Sequence, residues 1–303
     1  RALVQTEVRQ QKEENRHVKA VGMGSQGAWT RWETEPRSLS WSDMWNYTPW
    51  QLKFLLRAVY DLLPTPSNLA RWGLIPEPDC PLCGKRCTLE HVLSSCNISL
   101  SQGRYTWRHD QVLKALAHAL ELTRLRAVKR KRYGGMITFV KEGESIPSKM
   151  QQSKSTGLLG MAKDWEMRVD LQKKLVFPNI VETTLRPDIV IFSATQKKLI
   201  LVELTVPWET RCEEAHERKR SKYQDLLADC NAKGWQTWNL PIEVGCRGFP
   251  ARACWRTLGL LGVRGRERKH ATKSLASAAE RASCWLWTRR NESSWQHATE
   301  NRA

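Results

Sequence analysis

The sequence predicts an α/β domain, built as a mixed sheet flanked by helices, which follows a small helical region carrying a cysteine- and histidine-rich knuckle. The sheet is predicted from two β-branched apolar runs, residues 189–192 and 199–206, whose six-residue separation is typical of a β-hairpin. The knuckle is predicted from four cysteines within 17 residues. The flanking helices are predicted from apolar residues at helical spacing in four segments, residues 52–63, 106–128, 158–169 and 212–230.

Charge and composition indicate the class of partner. The 303 residues include 49 lysines and arginines against 31 acidic residues, a formal net charge of +18. Such an excess favours polyanions, and nucleic acid is the leading candidate. No run of 18 apolar residues is present, so no membrane span is predicted. Because the first residue is Arg1 and nothing resembles a signal peptide, we expect this chain to be the C-terminal part of a longer polypeptide.

The predicted hairpin brings two carboxylates together. If its turn centres on Thr195 and Gln196, Ile191 faces Ile200 and Asp188 faces Glu203. Directly opposed side chains in an antiparallel pair have Cβ atoms about 4.5–5.5 Å apart, so the two charges repel each other. A shared divalent cation would remove that repulsion, and hard oxygen ligands suit Mg²⁺ and Mn²⁺. The pair therefore predicts half of a metal site; the alternative is a surface hairpin with a solvated glutamate.

The knuckle has the spacing of a zinc site. Cys80 and Cys83 are two residues apart and form a tight turn, and His91 and Cys96 follow with seven and four residues between the ligands. Three sulfurs and one imidazole nitrogen suit tetrahedral Zn²⁺. The chain has nine cysteines, and this pattern favours a structural metal in a reducing compartment over a disulfide framework. Cys87 is the spare cysteine of the group, and the alternative for the whole set is reduced, unliganded thiols.

The segment Arg186-Pro187-Asp188 followed by Glu203 resembles the signature of the PD-(D/E)XK nucleases. More narrowly, it is similar to the restriction-like endonuclease at the C-terminus of R2-type non-LTR retrotransposon polyproteins, where a zinc knuckle also precedes the endonuclease. The resemblance covers roughly residues 48–262. It implies a restriction-endonuclease-like fold, Mg²⁺- or Mn²⁺-dependent nicking of DNA at a target site, and a nuclear location. Polymerase motifs are absent from these residues, so we expect no copying of RNA by this chain.

The resemblance also implies roles for individual residues. Asp188, Glu203 and the carbonyl of Leu204 would hold the catalytic Mg²⁺. Thr205 stands where the family's core pattern places a lysine, and in the R2-like branch a lysine of the following helix takes over. Lys219 and Lys222 are both candidates, and the sequence does not choose between them. An acid on the first helix of the family's domain adds a further ligand; Glu166 is the matching candidate, Asp170 the runner-up, and a solvated Glu166 the alternative.

Double-stranded DNA is the expected partner, with RNA as a further candidate and an upstream polymerase domain as the expected protein partner. Contacts with phosphates are predicted for Arg186 and for a basic cluster at the end of the helix predicted over residues 106–128. The cluster consists of Arg124, Arg126, Lys129, Arg130, Lys131 and Arg132. The alternative for such a run of charges is a solvated face.

We predict five regions along the chain. They are a linker (residues 1–47), a helical region with the zinc knuckle (48–130), a connection (131–156), the endonuclease domain (157–263) and a basic tail (264–303). Two other functions are compatible with the same residues. One is a nucleic-acid-binding zinc module whose nuclease site has decayed, and the other is a structural fragment of a larger polyprotein.

Overall fold

The sheet is the centre of the molecule. The computed structural model describes residues 2–129, 157–171 and 174–295 of the chain. Five strands lie side by side in the order β1-β2-β3-β4-β5. They are β1 (Glu166–Val169), β2 (Ile189–Ser193), β3 (Lys198–Thr205), β4 (Gln236–Gly245) and β5 (Phe249–Pro250). The β3–β4 pair is parallel and the other three pairs are antiparallel. The predicted mixed sheet flanked by helices is confirmed.

The hairpin has the predicted register. Ser193 pairs with Lys198 and Ile191 pairs with Ile200, so the turn centres on residues 195 and 196. The last strand pair is Ile189 with Val202. The next position along both chains places Asp188 beside Glu203, at the end of the sheet where β2 begins and β3 ends.

Helices surround this sheet, and local signals define several of them. They are α1 (Ala2–Val21), α2 (Trp41–Trp45), α3 (Pro49–Val59), α4 (Pro66–Arg71), α5 (Asn97–Ser101), α6 (Arg104–Lys129), α7 (Cys212–Lys222), α8 (Gln224–Ala232), α9 (Arg252–Leu261) and α10 (Gly265–Thr288). α3 begins with a capping box and a proline. Thr48 and Gln51 each accept the other's backbone N–H, and Pro49 takes the first helical position.

Both faces of the sheet are buried. Ile189, Ile191 and Ile200 share one face and pack in a core with apolar residues of α6, α9 and α10. The opposite face, which includes Leu199 and Leu201, packs against the region of α7 and α8. The contribution of α6 to the first core is made by Val112, Leu113, Leu116 and Leu120, all fully buried. The predicted boundary between residues 130 and 157 therefore does not separate two cores, because the helix before it packs on the sheet after it.

The helix predicted over residues 158–169 is wrong. A short 3₁₀ turn, Leu158–Gly160, is followed by strand β1, which pairs antiparallel with β2. The apolar spacing from Leu158 to Val169 fits a helix, yet pairing with the open edge of β2 prevails over that local pattern. Glu166 consequently lies opposite Phe192, at the end of β1 away from Asp188, with an exposed side chain next to Arg168.

The predicted basic tail, residues 264–303, is also wrong for most of its length. Gly265–Thr288 forms α10, which packs along α6 and buries Leu275, Ala279, Ala282 and Leu286. Its buried stripe consists largely of alanines, which let two helices approach closely but give a weak signal of hydrophobic periodicity. The basic residues that suggested a tail occupy the exposed side of its first turns.

The predicted linker, residues 1–47, contains the helices α1 and α2 and a 3₁₀ helix, Gly24–Arg31, and it packs on the described chain itself. Trp32 is buried against the guanidinium of Arg247, which lies 4.0 Å from its ring, and Thr34 pairs with Ala251. Arg247 also stacks on Trp208 at 3.6 Å and bonds the buried carboxylate of Glu209. This stacked, ion-paired arginine is one of several contacts that hold the segment, together with the bonds that Arg37 and Tyr47 donate to Glu280 of α10. Two tryptophans of α2, Trp41 and Trp45, remain 76% and 84% exposed.

Two smaller differences concern the segments after β3. The helix predicted over residues 212–230 is two helices, α7 and α8, which meet at Tyr223, the residue that caps α7. The second is that Gln236–Gly245 forms one continuous strand, β4, which sequence analysis did not predict. Pro241 is tolerated inside it because, among the described residues, β5 pairs only with Val244 and Gly245, so the outer edge at Pro241 needs no donor.

Candidate metal centres and active site

The knuckle brings its four predicted ligands together. One ligand atom from each of Cys80, Cys83, His91 and Cys96 lies within 4.8 Å of every other, and Sγ of Cys83 is 3.2 Å from Nε2 of His91. Among the described residues, this is the one group of three or more His, Cys, Asp or Glu side chains that meets this distance. Three sulfurs and a nitrogen at this spacing suit a tetrahedral cation, so the cluster can hold a metal such as zinc.

Local structure explains how the ligands converge. The N–H of Gly84 donates to the carbonyl of Cys80 at 2.9 Å and closes the turn that follows Cys80. Gly84 itself has a positive φ of 69°. The Thr88 hydroxyl accepts the N–H of His91 at 3.1 Å and caps the turn that carries this ligand. His91–Ser95 forms one turn of π-helix, which adds a residue to the turn and brings the N–H of Cys96 to the carbonyl of His91.

Cys87 lies beside the cluster without belonging to it. Its side chain is 2% exposed and packs with the cysteines of the knuckle, and burial together with the neighbouring Cys80 raises the pKa of its thiol to about 12. Burial likewise raises the pKa of the Cys83 thiol to about 11. A bound cation is what normally converts such thiols to thiolates at neutral pH.

The second site lies where Asp188 and Glu203 meet. The N–H of Asp188 donates to Oε1 of Glu203 at 3.2 Å, and the N–H of Leu204 donates to Oδ2 of Asp188 at 2.7 Å. Glu203 is fully buried and its other oxygen, Oε2, accepts from Nζ of Lys219. The two carboxylates thus lie on adjacent strands, but Glu203 turns toward Lys219 while Asp188 turns toward the end of β3.

The two candidate lysines differ in their contacts. Lys219 forms an ion pair with Glu203, and its side chain is 19% exposed. Lys222 is exposed, and its Nζ donates instead to the hydroxyl of Tyr223, which in turn donates to the carbonyl of Arg186. The structure therefore brings Lys219, and not Lys222, to the acid pair. One turn of helix separates them, so helical spacing alone could not distinguish them.

Opposite pKa shifts mark the acid pair. Burial and the charge of Asp188 raise the pKa of Glu203 above its ordinary value, despite the nearby Lys219. Burial acts in the same direction on Asp188, but bonds to His109 and to the N–H of Leu204 and the charge of Lys219 hold its pKa below its ordinary value. Such divergent acids in one site are typical of functional centres.

Sequence reasoning assigned no role to His109, which the structure brings to this centre. Its Nε2 lies 3.3 Å from the carbonyl oxygen of Leu204 and 3.4 Å from Oδ2 of Asp188, and its Nδ1 lies 3.3 Å from Oδ1 of Asp110. Burial opposes the protonated ring, yet the two carboxylates raise the pKa of His109 to about 9. Nothing in the local sequence could have revealed this contact, because 95 residues separate His109 from Leu204.

Glu243 and His216 form a second acid–histidine pair that the sequence analysis missed. Glu243 pairs with Thr205 across β3 and β4, so its side chain shares a sheet face with Glu203. Its Oε2 lies 3.1 Å from Nδ1 of His216, one turn before Lys219 on α7, while its buried Oε1 has no hydrogen-bond partner. Burial raises the pKa of Glu243, although His216 acts in the opposite direction. The hydroxyl of Thr205 is also buried without a partner.

Of the other predicted site residues, Glu166 is remote from the carboxylates, and the side chain of the runner-up Asp170 accepts the N–H of Leu175. Arg124 bonds both oxygens of Glu121 and the carbonyl of Trp165, and Arg126 is ion-paired with Glu267. The side chain of Lys129 and all of Arg130, Lys131 and Arg132 lie outside the described residues. Arg186 is exposed beside the acid pair.

Comparisons with known proteins identify no family for this chain. A scan against models of protein families finds no match, and a search of curated proteins finds no match either. Among the described residues, none of the helices combines the length and the apolar character needed to cross a membrane.

Proposed function

We propose that this chain is a metal-dependent DNA endonuclease of the restriction-like type, the C-terminal part of a retrotransposon polyprotein that nicks a target site in the nucleus. One observation carries the proposal. Asp188 immediately before β2, Glu203 in β3 and Lys219 in α7 meet at one end of a mixed sheet. The hairpin register matches the proposed signature. A purely structural hairpin has no need of two carboxylates at a buried end.

The oxygen atoms at this end of the sheet suit a divalent cation. Oδ2 of Asp188 and the carbonyl oxygen of Leu204 both lie within 3.4 Å of Nε2 of His109, so two hard oxygens lie close together beside the ring. They suit Mg²⁺ or Mn²⁺. The carboxylate of Glu203 bonds Lys219 and the N–H of Asp188, so it faces away from these two oxygens. A cation there would lower the pKa of a bound water and offset charge on the scissile phosphate.

Side chains of this protein supply the other groups that cleavage of a phosphodiester requires. Asp188 and Glu203 hold negative charge at a buried position, which attracts a cation and orients water by hydrogen bonding. Lys219 keeps a positive charge at the acid pair, where it stabilises the charge that develops on a phosphate in the transition state. Because Thr205 has no charge to contribute, Lys219 takes the role that the family's core pattern gives to a lysine on the strand.

The zinc knuckle and the net charge of +18 support DNA as the substrate. Lysines and arginines release condensed counterions when they neutralise phosphates, which gives affinity without sequence preference. We place Arg186 and the basic run from Lys129 to Arg132 in this role. Arg124 and Arg126 contribute less, because their guanidinium groups already bond protein acceptors.

Nicking of supercoiled plasmid by the full chain with Mg²⁺ or Mn²⁺ tests the proposal. Wild-type protein should convert the plasmid to open circles, and Asp188→Asn should abolish this. Lys219→Ala should lower the rate about 100-fold or more, a typical contribution of a positioned catalytic group. Arg218→Ala is the matched control, since it removes the same charge from an exposed position of α7. The nicking rate of Lys222→Ala should lie between the rates of Lys219→Ala and Arg218→Ala.

A nucleic-acid-binding zinc module with a decayed nuclease site is the second candidate. The observation that favours it is the side chain of Glu203, which is turned toward Lys219 and not toward Oδ2 of Asp188. Salt-sensitive DNA binding by wild-type protein without any nicking in Mg²⁺ or Mn²⁺ would establish this module and reject the enzyme.

A further inference from the structure

His109 reaches the acid pair from outside the sheet. It lies in the first third of α6, a helix that follows the knuckle, and its ring points to the end of β3. Nε2 is 3.3 Å from the carbonyl oxygen of Leu204 and 3.4 Å from Oδ2 of Asp188. The ring therefore touches the two oxygens that the proposed function assigns to the divalent cation.

These distances are longer than those of a strong charged hydrogen bond. An imidazolium N–H that bonds a carboxylate normally has a nitrogen–oxygen distance of about 2.7–2.9 Å. A single N–H shared by both oxygens, which are nearly equidistant from Nε2, would form a bifurcated bond with a poor angle to each acceptor. Ligands of one Mg²⁺- or Mn²⁺-sized ion, by contrast, lie about 3 Å or slightly more from each other, because each is about 2.1 Å from the ion at roughly right angles.

Asp110 completes the arrangement on the other side of the ring. Its Oδ1 lies 3.3 Å from Nδ1 of His109, so a proton on Nδ1 is held and Nε2 is directed toward the centre. A carboxylate behind the imidazole is the usual support of a metal-ligating histidine, since it fixes the tautomer and the ring orientation. The side chains of His109 and Asp188 are 23% and 15% exposed, which leaves an ion access to both.

We propose that His109 is a ligand of the divalent cation in the nuclease centre, together with Asp188 and the carbonyl of Leu204. The inference rests on the proposed function, because it requires a cation at the acid pair. It adds a nitrogen donor from the helical region to a site otherwise made of oxygens. Imidazole suits transition metals better than it suits Mg²⁺, so the centre should prefer Mn²⁺ to Mg²⁺.

The opposite role for the same contact is an internal plug. A protonated His109 would then occupy the place of the cation, and the ion would bind only after the ring leaves. The two roles predict changes of opposite sign. Removing a ligand weakens binding of the ion, whereas removing a plug strengthens it.

In the experiment, Mn²⁺ is titrated into the full chain after the knuckle has been loaded with Zn²⁺. Free Mn²⁺ is followed by its electron paramagnetic resonance signal. His109→Ala should raise the dissociation constant at least tenfold. His118→Ala is the matched control, because it removes an exposed histidine from the same helix, and it should leave the constant unchanged. Pulsed resonance spectra of the wild-type complex should show coupling of Mn²⁺ to a histidine nitrogen, and His109→Ala should lose that coupling.

Three results would overturn the assignment. They are tighter Mn²⁺ binding by His109→Ala, unchanged binding, or no nitrogen coupling in the wild-type complex; the last result does not depend on how any variant folds. His109→Gln keeps most of the side-chain volume, so it provides a second measurement of the dissociation constant of Mn²⁺. Asp188→Asn separates the two proposals. If it leaves Mn²⁺ binding unchanged, the proposed nuclease centre fails; if it abolishes binding while His109→Ala does not weaken it, only the role of His109 fails.

Discussion

The knuckle and the acid pair are two candidate metal sites built in opposite ways. The four knuckle ligands lie within 17 residues of sequence and already stand within 4.8 Å of one another. The acid pair draws on α6, β2, β3 and α7, and Glu203 is turned toward Lys219. A short segment with soft ligands can fold around its ion, whereas the second site depends on the packing of the whole sheet. The first should contribute stability, and the second should bind an ion weakly and exchange it.

Loss of a knuckle ligand should give the largest effect. Cys83→Ser removes one of three sulfurs, and structural zinc contributes on the order of 10 kcal/mol to the folding of small zinc domains. We expect the variant to lose its zinc and the knuckle to become sensitive to protease. Cys87→Ala is the control, because Cys87 is buried beside the cluster but lies outside the four ligands. Zinc per chain, measured by atomic emission, checks both; equal loss from the two variants would contradict the ligand assignment.

Arg108 should show how far the two sites are linked. Its side chain is 2% exposed and donates to the carbonyls of Leu93 in the knuckle and Val206 after β3, at 2.7 and 3.0 Å. It also donates to the hydroxyl of Ser283 on α10. Arg108→Met leaves these acceptors buried without a donor, so we expect a loss of about 3 kcal/mol or more in the free energy of unfolding.

Urea unfolding of Arg108→Met measures this loss. Arg126→Met is the comparison, since Arg126 makes an exposed ion pair with Glu267 and should cost less than about 1 kcal/mol. If Arg108 links the sites, its variant should also retain less zinc and bind Mn²⁺ more weakly. Equal stability of the two variants would mean that the knuckle and the sheet are held together by apolar packing alone.

DNA affinity should depend mainly on basic residues outside the two metal sites. Replacing Lys129, Arg130, Lys131 and Arg132 by alanine should flatten the dependence of log affinity on log salt by at least about 1, since each phosphate contact contributes about 0.9 to that slope. The matched control neutralises four basic residues of α1, Arg9, Lys12, Arg16 and Lys19. Binding measured by fluorescence anisotropy at several salt concentrations distinguishes them. Equal slopes for both variants would show that the run is a solvated face.

Replacement of Glu243 should give the smallest effect, and it should stabilise the protein where most substitutions destabilise it. Burial raises its pKa, so its charged form destabilises the fold above that pKa, and the penalty disappears as the pH falls toward the pKa of the unfolded chain. Glu243→Gln removes the charge. It should therefore increase the free energy of unfolding at pH 8 by on the order of 1 kcal/mol, because a buried polar atom without a partner costs about 1–3 kcal/mol. Thermal unfolding should show the gain shrinking toward pH 5; a constant or negative difference would contradict it.

Sequence reasoning succeeded where the interacting residues are close together in the chain and failed where they are far apart. The knuckle and the hairpin register were predicted because their contacts are local and depend on spacing and turn length. The strand β1 was missed because its partner β2 lies some 20 residues later and decided its conformation. Helix α10 was missed because alanines carry its buried stripe. His109 and Glu243 were missed because each gains its role only when distant elements pack together.

The position of α6 in the chain limits how this protein can be divided. The helix precedes residues 130–156, and the strands follow them, yet Val112, Leu113, Leu116 and Leu120 of α6 fill the core beneath the sheet. A fragment that starts at residue 157 would expose that core and would lack both His109 and the buried Arg108. Neither recombination nor protein engineering can therefore transfer the sheet to another protein as residues 157–263 alone. The smallest transferable unit includes residues 104–129, and through Arg108 it also carries the knuckle with it.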